Sequence, residues 1–170
     1  MKKTLCIFFL FVFNQVAAIE FNGKFIQGHF IIGKTNPNTK ILIDKKKVKV
    51  TADGYFAFGI GKDRKLDVVI TEGDKTFVKK VQKRKYNIQK IDGLEKKKVT
   101  PPEEFYARIK RENKLIGDAR EIHSDLSFFK DKFIIPVEGA IITGVYGSQR
   151  ILNGIPKWPH YGLDFAQKKG

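Results

Sequence analysis

Residues 20–90 consist of short apolar runs separated by turn sequences, and this pattern limits the folds open to the chain. The runs are "KFIQGHFIIG", "KILIDKKKVKV", "GYFAFGI", "KLDVVITE" and "KTFVKKVQKRKY", and the segments between them are "KTNPNT", "TADG", "GKDR" and "EGDK". Turn signals about 8–12 residues apart are typical of a small sandwich of antiparallel strands. Alternating lysines, as in "FVKKVQKRK", fit strands with one solvated face. The sequence therefore predicts a mainly β protein in which residues 19–90 form an antiparallel β-sandwich.

A linker and one helix are predicted for residues 91–132. The stretch "IDGLEKKKVTPP", at 91–102, mixes charges with a glycine and a proline pair, which is typical of a linker. Thr100 precedes the two prolines and two glutamates follow them, so we expect a helix to begin there. Apolar residues then keep helical spacing, namely Phe105, Ile109, Ile116, Ala119, Ile122 and Leu126. We therefore expect one amphipathic helix that ends near residue 126.

The pattern returns to strands in residues 133–170. "FIIPVEGAIITGVYGSQR" contains β-branched runs that are interrupted by a proline and a glycine. The next stretch, "ILNGIPKWPH", has an Asn-Gly turn and two prolines and reads as a loop. This part of the chain is therefore predicted to begin a second β domain.

The first eighteen residues have the layout of a secretory signal peptide. A basic start, "MKK", precedes the apolar run "TLCIFFLFVF", and the small residues Ala17 and Ala18 follow. The run is too short to span a bilayer comfortably, which ranks an uncleaved membrane anchor second. Cleavage near Ala18 would also remove Cys6, the single cysteine. We therefore expect an exported chain in the periplasm, cell envelope or extracellular space, without thiols and without a stable membrane span after cleavage.

The charge balance indicates anionic partners. The net charge is +15, and loss of Lys2 and Lys3 with the signal peptide would leave +13 (15 − 2). Anionic envelope polymers are therefore possible partners, although a solvated lysine-rich surface explains the charge equally well. Of the 33 basic residues, 27 are lysine and 6 are arginine. Arginine is the residue favoured for bidentate base contacts, so this bias, together with export, argues against nucleic acid as a partner.

The segment "WPHYGLDFA", at 158–166, contains the pattern with the clearest chemical meaning. In a strand, His160, Gly162, Asp164 and Ala166 would share one face, and large apolar residues would occupy the other. An imidazole and a carboxylate with little bulk around them suit a metal ion. On its own the pair is a weak signal, since structural His–Asp pairs are common.

A family resemblance adds context to this pair. "GVYGSQRILNG", the proline-rich loop and "HYGLDFA" together resemble the start of the catalytic domain of lysostaphin-type zinc metallopeptidases, which are glycyl-glycine and peptidoglycan endopeptidases. The resemblance implies that residues 133–170 open a lysostaphin-like β domain with a duplicated hybrid motif. It also implies that His160 and Asp164 are zinc ligands. In that family a later His-x-His supplies the third ligand and a catalytic histidine.

No His-x-His follows in this sequence, where the only other histidines are His29 and His123. The resemblance therefore predicts a sequence truncated after the first zinc motif, with the catalytic residues expected downstream of Gly170. We expect the 170-residue chain itself to be inactive and to bind zinc weakly. Zinc is inferred from the resemblance alone, because histidine and carboxylate ligands would also accept manganese or iron.

Three further residues are candidates for substrate binding. Arg150 and Asn153 precede the zinc motif, although an Asn-Gly pair is also an ordinary turn. Trp158, the single tryptophan, could stack on a substrate or pack within its loop. His29 and His123 are expected to be structural or solvated.

The predicted function is that of an exported zinc metalloendopeptidase that hydrolyses peptide cross-links of bacterial peptidoglycan. Two alternatives remain at this point. One is a non-catalytic envelope regulator with a degenerate metallopeptidase domain, and the other is a basic module that binds the cell wall through its sandwich.

Overall fold

The computed structural model of the chain describes residues 19–122, 124–131 and 133–168. The predicted signal peptide, at 1–18, and His123 lie outside the described residues. The protein is mainly β, as predicted from its sequence. None of the described helices is long and apolar enough to cross a membrane.

Two antiparallel sheets form the N-terminal half of the protein. The first sheet has the order β1-β2-β5 and contains β1 (Glu20–Asn22), β2 (Phe30–Lys34) and β5 (Tyr55–Gly59). The second has the order β4-β3-β6-β7 and contains β3 (Ile41–Ile43), β4 (Lys46–Lys47), β6 (Val68–Glu72) and β7 (Lys75–Lys79). Both sheets contribute to a single apolar cluster, which includes Ile31 and Phe56 from the first sheet and Ile41 and Ile70 from the second. The N-terminal half is therefore a sandwich closed by one core.

A two-residue turn divides the predicted run "KILIDKKKVKV" into two paired strands, β3 and β4. Asp44 and Lys45 both adopt positive φ (49° and 67°) between β3 and β4, as a two-residue hairpin turn requires. The Asp44 carboxylate also pairs with Arg64 and accepts a hydrogen bond from the backbone N–H of Val69. These bonds lower the pKa of Asp44, the largest effect coming from the Arg64 side chain. The turn is therefore tied to the loop before β6.

The strand β8 (Ile88–Ile91) does not belong to the sandwich. It pairs in parallel with β10 (Gln149–Leu152), and β10 pairs on its other side with β11 (Ile155–Pro156). The expected boundary at residue 90 therefore lies within a strand, because β8 begins at Ile88, after the lysine-rich run that ends the sandwich. The segment that follows the sandwich is consequently part of the C-terminal fold.

Helices connect β8 to the C-terminal strands. They are α1 (Lys96–Val99), a 3₁₀ turn at Glu103–Phe105, α2 (Tyr106–Arg120) and a second 3₁₀ turn at Phe128–Lys130. As expected, the two glutamates after the prolines lie in the first helical turn, which runs directly into α2, although Thr100 caps the C-terminus of α1 instead. The expected end near residue 126 is wrong, because α2 ends at Arg120. No residue of α2 is buried, and Ile122 is 75% exposed. The apolar spacing predicted too long a helix, because an apolar face stabilises a helix little unless it packs against another surface.

The last strands form a small separate sheet. β9 (Ile141–Gly144) pairs antiparallel with β12 (Asp164–Ala166), and no further strand joins them among the described residues. Ile141 and Ile142 remain 67% and 56% exposed. This sheet therefore carries apolar side chains on its surface.

Aromatic residues join the sandwich to the C-terminal strands. The Tyr86 ring lies against Gly147, where an added Cβ would come within 2.1 Å of the ring. Gly28 of the sandwich approaches both Tyr86 and Tyr146. The Tyr86 hydroxyl is buried without a hydrogen-bond partner among the described residues, and burial is the main cause of its raised pKa. Glycines at these two positions therefore allow the two halves to meet closely.

Candidate metal centre and cleft

His160 is held by its backbone rather than by a strand. Its N–H donates to the carbonyl of Ser148 at 2.8 Å, and its own carbonyl accepts from the N–H of Gly147 at 2.7 Å. Gly147 has a φ of +85° and is buried beneath Tyr86, so its lack of a side chain is required there. The predicted strand over 158–166 is wrong for residues 158–163, because only Asp164–Ala166 forms strand pairs. The position of His160 thus depends on the 147–148 turn.

Asp164 begins β12 and faces Gly144 of β9. Its Oδ1 lies 3.2 Å from Nε2 of His160, and the two side chains are 59% and 32% exposed. The strand register shifts between Asp164 and Phe165, which re-aims the first residue of the strand. The structure therefore brings together the two predicted zinc ligands, although not through the regular alternation that suggested them.

Gly144 leaves the space in which this pair sits. A Cβ added there would lie 2.5 Å from Oδ2 of Asp164 and 3.2 Å from Nε2 of His160. Its φ is not positive, so the backbone itself would accept another residue. The sequence analysis missed this residue, although a glycine closing a β-branched run can signal a close approach.

The pair suits a metal ion in three respects. The Nε2 atom of His160 is buried without a hydrogen-bond partner among the described residues, despite its closeness to the carboxylate. Two donors bound to one tetrahedral zinc would lie about 3.4 Å apart, close to the 3.2 Å observed. A nitrogen and a carboxylate oxygen are also ligands that zinc accepts. No group of three or more such side chains is present among the described residues, which therefore offer two ligands at this site.

An open cleft of about 610 Å³ surrounds the pair. Arg150 and Trp158, two of the predicted substrate-binding residues, line this cleft. Trp158 is 86% exposed, so the structure leaves its ring free to meet a ligand instead of packing it within the loop. The cleft therefore combines the candidate metal ligands with a cation and an exposed aromatic ring.

Asn153, the third predicted substrate-binding residue, does not line the cleft. It sits in the turn between β10 and β11 with a φ of +47°. Its side-chain amide donates to the carbonyl of Leu94 at 2.7 Å and accepts from the Leu94 N–H at 3.0 Å. The backbone N–H of Asn153 also donates to the carbonyl of Ile91. Its observed contacts are those of a turn residue that fastens the segment after β8.

The structure adds cleft residues that local patterns could not reveal. Gln89 lies on β8 and Asn87 immediately precedes this strand. Both residues line the cleft because β8 pairs with β10. Lys157 also lines the cleft, and its ammonium group donates to the carbonyl of Val99 at the end of α1. Nothing in the sequence spacing marks these residues, since the pairing joins segments that are far apart in the chain.

His29 lies outside the cleft, in the turn before β2. Burial, with Arg84 and Lys24 as additional cationic neighbours, lowers the pKa of its imidazole. Its backbone N–H donates to Ile26, and its carbonyl accepts from Ile60. These backbone hydrogen bonds make His29 part of the turn that leads into β2 of the sandwich.

Comparisons with known proteins give no family for this chain. No protein-family model matches it, and no curated protein matches it significantly.

Proposed function

We propose that the protein is an exported zinc metalloendopeptidase that hydrolyses peptide cross-links of bacterial peptidoglycan. The observation that carries this proposal is the unpartnered Nε2 of His160 facing the Asp164 carboxylate at 3.2 Å within an open cleft. The resemblance of "HYGLDFA" to the first zinc motif of lysostaphin-type enzymes supports the same reaction.

The residues of the site have distinct roles in this proposal. His160 and Asp164 would hold the metal. Backbone hydrogen bonds with Ser148 and Gly147 fix the position of the histidine. When bound, zinc would supply a water with a pKa of about 7 and would polarise a carbonyl group. Gly144 keeps the space between the two ligands free of a side chain. Arg150 and Trp158 would contact the peptide, because both line the cleft.

A further zinc ligand and the general base would come from a His-x-His element, as the resemblance implies. The sequence to Gly170 contains no such element, since its other histidines stand alone at 29 and 123. Reading the encoding DNA beyond the codon for Gly170 tests this directly. An in-frame His-x-His supports the enzyme, and a genuine stop codon at that point overturns it.

Metal binding provides an independent test on the chain itself. Equilibrium dialysis should show zinc bound at micromolar or weaker affinity, with the His160→Ala protein binding at least about tenfold less. Equal zinc binding by the two proteins would overturn the metal centre. Wild-type hydrolysis of wall by a longer protein carrying His160→Ala would overturn the metallopeptidase.

The proposed export has its own measurement. The basic start, the apolar run and Ala17–Ala18 support cleavage near Ala18. N-terminal sequencing of the protein recovered from the envelope should read from about Ile19. A protein that still begins at Met1 would instead be held by an uncleaved anchor.

A second candidate function is binding of anionic wall polymers by the sandwich, and the net charge of +15 favours it. Lys45, Lys46 and Lys47 are exposed on the β3–β4 hairpin. Pelleting of the protein with purified wall should then fall as salt rises from about 0.05 to 0.5 M. Replacing these three lysines by glutamine should weaken pelleting, whereas salt-insensitive pelleting would exclude this electrostatic mode.

A further inference from the structure

The cleft contains one cation that has no partner among the described residues. Arg150 is exposed on β10 and lines the cleft, and its guanidinium makes no hydrogen bond or ion pair with any residue that the structure describes. The other cation of the cleft, Lys157, donates to the carbonyl of Val99. Asp164, the acidic side chain of the cleft, faces His160. Arg150 is thus the cation of the cleft that has no partner in the part of the chain that the structure describes.

Neighbouring groups define what this guanidinium could bind. Gln89 is its register partner on β8 and also lines the cleft. The N–H of Lys157 donates to the carbonyl of Arg150, which places the segment leading to Trp158 beside β10. Amide side chains pair with peptide groups, and an exposed indole covers apolar parts of a ligand. These residues suit an extended peptide better than a bare anion.

We infer that Arg150 is a specificity-determining residue that binds a free carboxylate of the peptide substrate. Guanidinium and carboxylate groups match in a bidentate, charge-assisted pair, which a neutral carboxamide cannot reproduce. A metal held by His160 and Asp164 would make the cleft more positive and strengthen this preference. The inference rests on the proposed function, because the ligand considered is its peptide substrate. Arg150 would thereby select acidic peptides over neutral ones, such as glycine bridges.

The single tryptophan provides a binding signal that does not depend on hydrolysis. Trp158 lines the same cleft, so a bound peptide should change its fluorescence. The probes are acetyl-Ala-Glu-Ala-amide and its neutral match, acetyl-Ala-Gln-Ala-amide. We expect the wild-type protein to bind the glutamate peptide about tenfold more tightly, the size typical of a hydrogen-bonded charged pair. Isothermal titration calorimetry of the same peptides provides the second measurement.

Three variants locate the source of this preference. In Arg150→Gln the two peptides should bind within about twofold of each other, and Arg150→Lys should retain part of the preference. Arg111→Gln, on the exposed face of α2, changes the net charge equally and should keep the tenfold ratio. His160→Ala should also keep a preference, because Arg150 remains. Far-UV circular dichroism confirms that each variant is folded.

The outcomes separate this inference from the proposed function. Equal binding of the two peptides by the wild-type protein, no binding of either, or a preference that survives Arg150→Gln would overturn the role of Arg150. An equal loss of the preference for the glutamate peptide in Arg111→Gln would also overturn the role of Arg150, because it would show an effect of net charge alone. A preference for the acidic peptide in a protein whose zinc binding is unchanged by His160→Ala would leave Arg150 supported and the metal centre refuted. Zinc binding that falls in His160→Ala, together with equal binding of the two peptides, would support the metal centre and overturn the role of Arg150.

Discussion

The Nε2 atom of His160 lies 3.2 Å from Oδ1 of Asp164, although only Asp164 belongs to a strand. The imidazole reaches the carboxylate because the backbone of His160 is bonded to both residues of the 147–148 turn. The cleft and the pair therefore depend on the same turn, which itself packs against Tyr86. This relationship leads to predictions on metal binding, on the support of the site and on stability.

Removing either member of the pair should reduce metal binding. His160→Ala and Asp164→Ala should each lower the zinc retained in equilibrium dialysis by about tenfold or more, since each removes one of two ligands. His29→Ala is the matched control, because His29 lies outside the cleft. Zinc binding that falls equally in all three proteins would mean that the metal binds elsewhere.

Filling the space at Gly144 should weaken metal binding without unfolding the protein. In Gly144→Ala the new methyl group would collide with the Asp164 carboxylate, so zinc affinity should fall about tenfold or more. The free energy of unfolding should stay level or rise by up to about 1 kcal/mol, as is typical when alanine replaces a strand glycine. Zinc dialysis and urea unfolding measure the two effects.

Gly59 of β5 offers the matched control for this substitution. A Cβ added at Gly59 meets no atom within 4 Å, and its φ is not positive. Gly59→Ala should therefore leave zinc affinity unchanged. A Gly144→Ala protein with wild-type zinc affinity would show that the carboxylate moves aside at no cost to the site.

Substitution of Asn153 should change the stability of the protein more than its peptide binding. Asn153→Gly keeps the left-handed turn but loses both bonds to Leu94, which should lower the free energy of unfolding by about 1 kcal/mol. Asn153→Ala should cost about 1 kcal/mol more, because alanine disfavours a φ of +47°. Urea unfolding measures both changes. Unchanged stability combined with weaker peptide binding would instead support the substrate-binding role predicted from the sequence.

Asp53 should show an acid-shifted titration that depends on Lys130. Hydrogen bonds from Lys130 and Thr51 lower the pKa of Asp53 from 3.8 to about 2. Because the folded pKa is the lower one, this contact contributes stability above about pH 4 and loses it as the pH falls towards 2. In Lys130→Gln the pKa of Asp53 should rise towards its usual value, as measured by NMR. An unshifted Asp53 in the wild type would mean that Lys130 does not dock on the sandwich.

Local spacing predicted some features of the site and missed others. The Asn-Gly pair at 153–154 predicted a turn, and the structure has a turn there with both φ angles positive. The four-residue spacing of His160 and Asp164 marked them as a pair, but the regular strand assumed to align them is absent over 158–163. Asn87 and Gln89 carry no local signal. They lie in the cleft only because parallel pairing brings β8 beside β10.

The sequence by itself determined the mainly β character and some of the turns. Alternation sets which face of a strand is buried, and an Asn-Gly pair such as the one at 153–154 adopts left-handed φ through its local preferences. Only the tertiary structure decided which sheet β8 joins, where α2 ends and how closely Gly144 approaches the His160–Asp164 pair. Those features depend on contacts between segments distant in the chain, and their free energies come from packing that no local window contains.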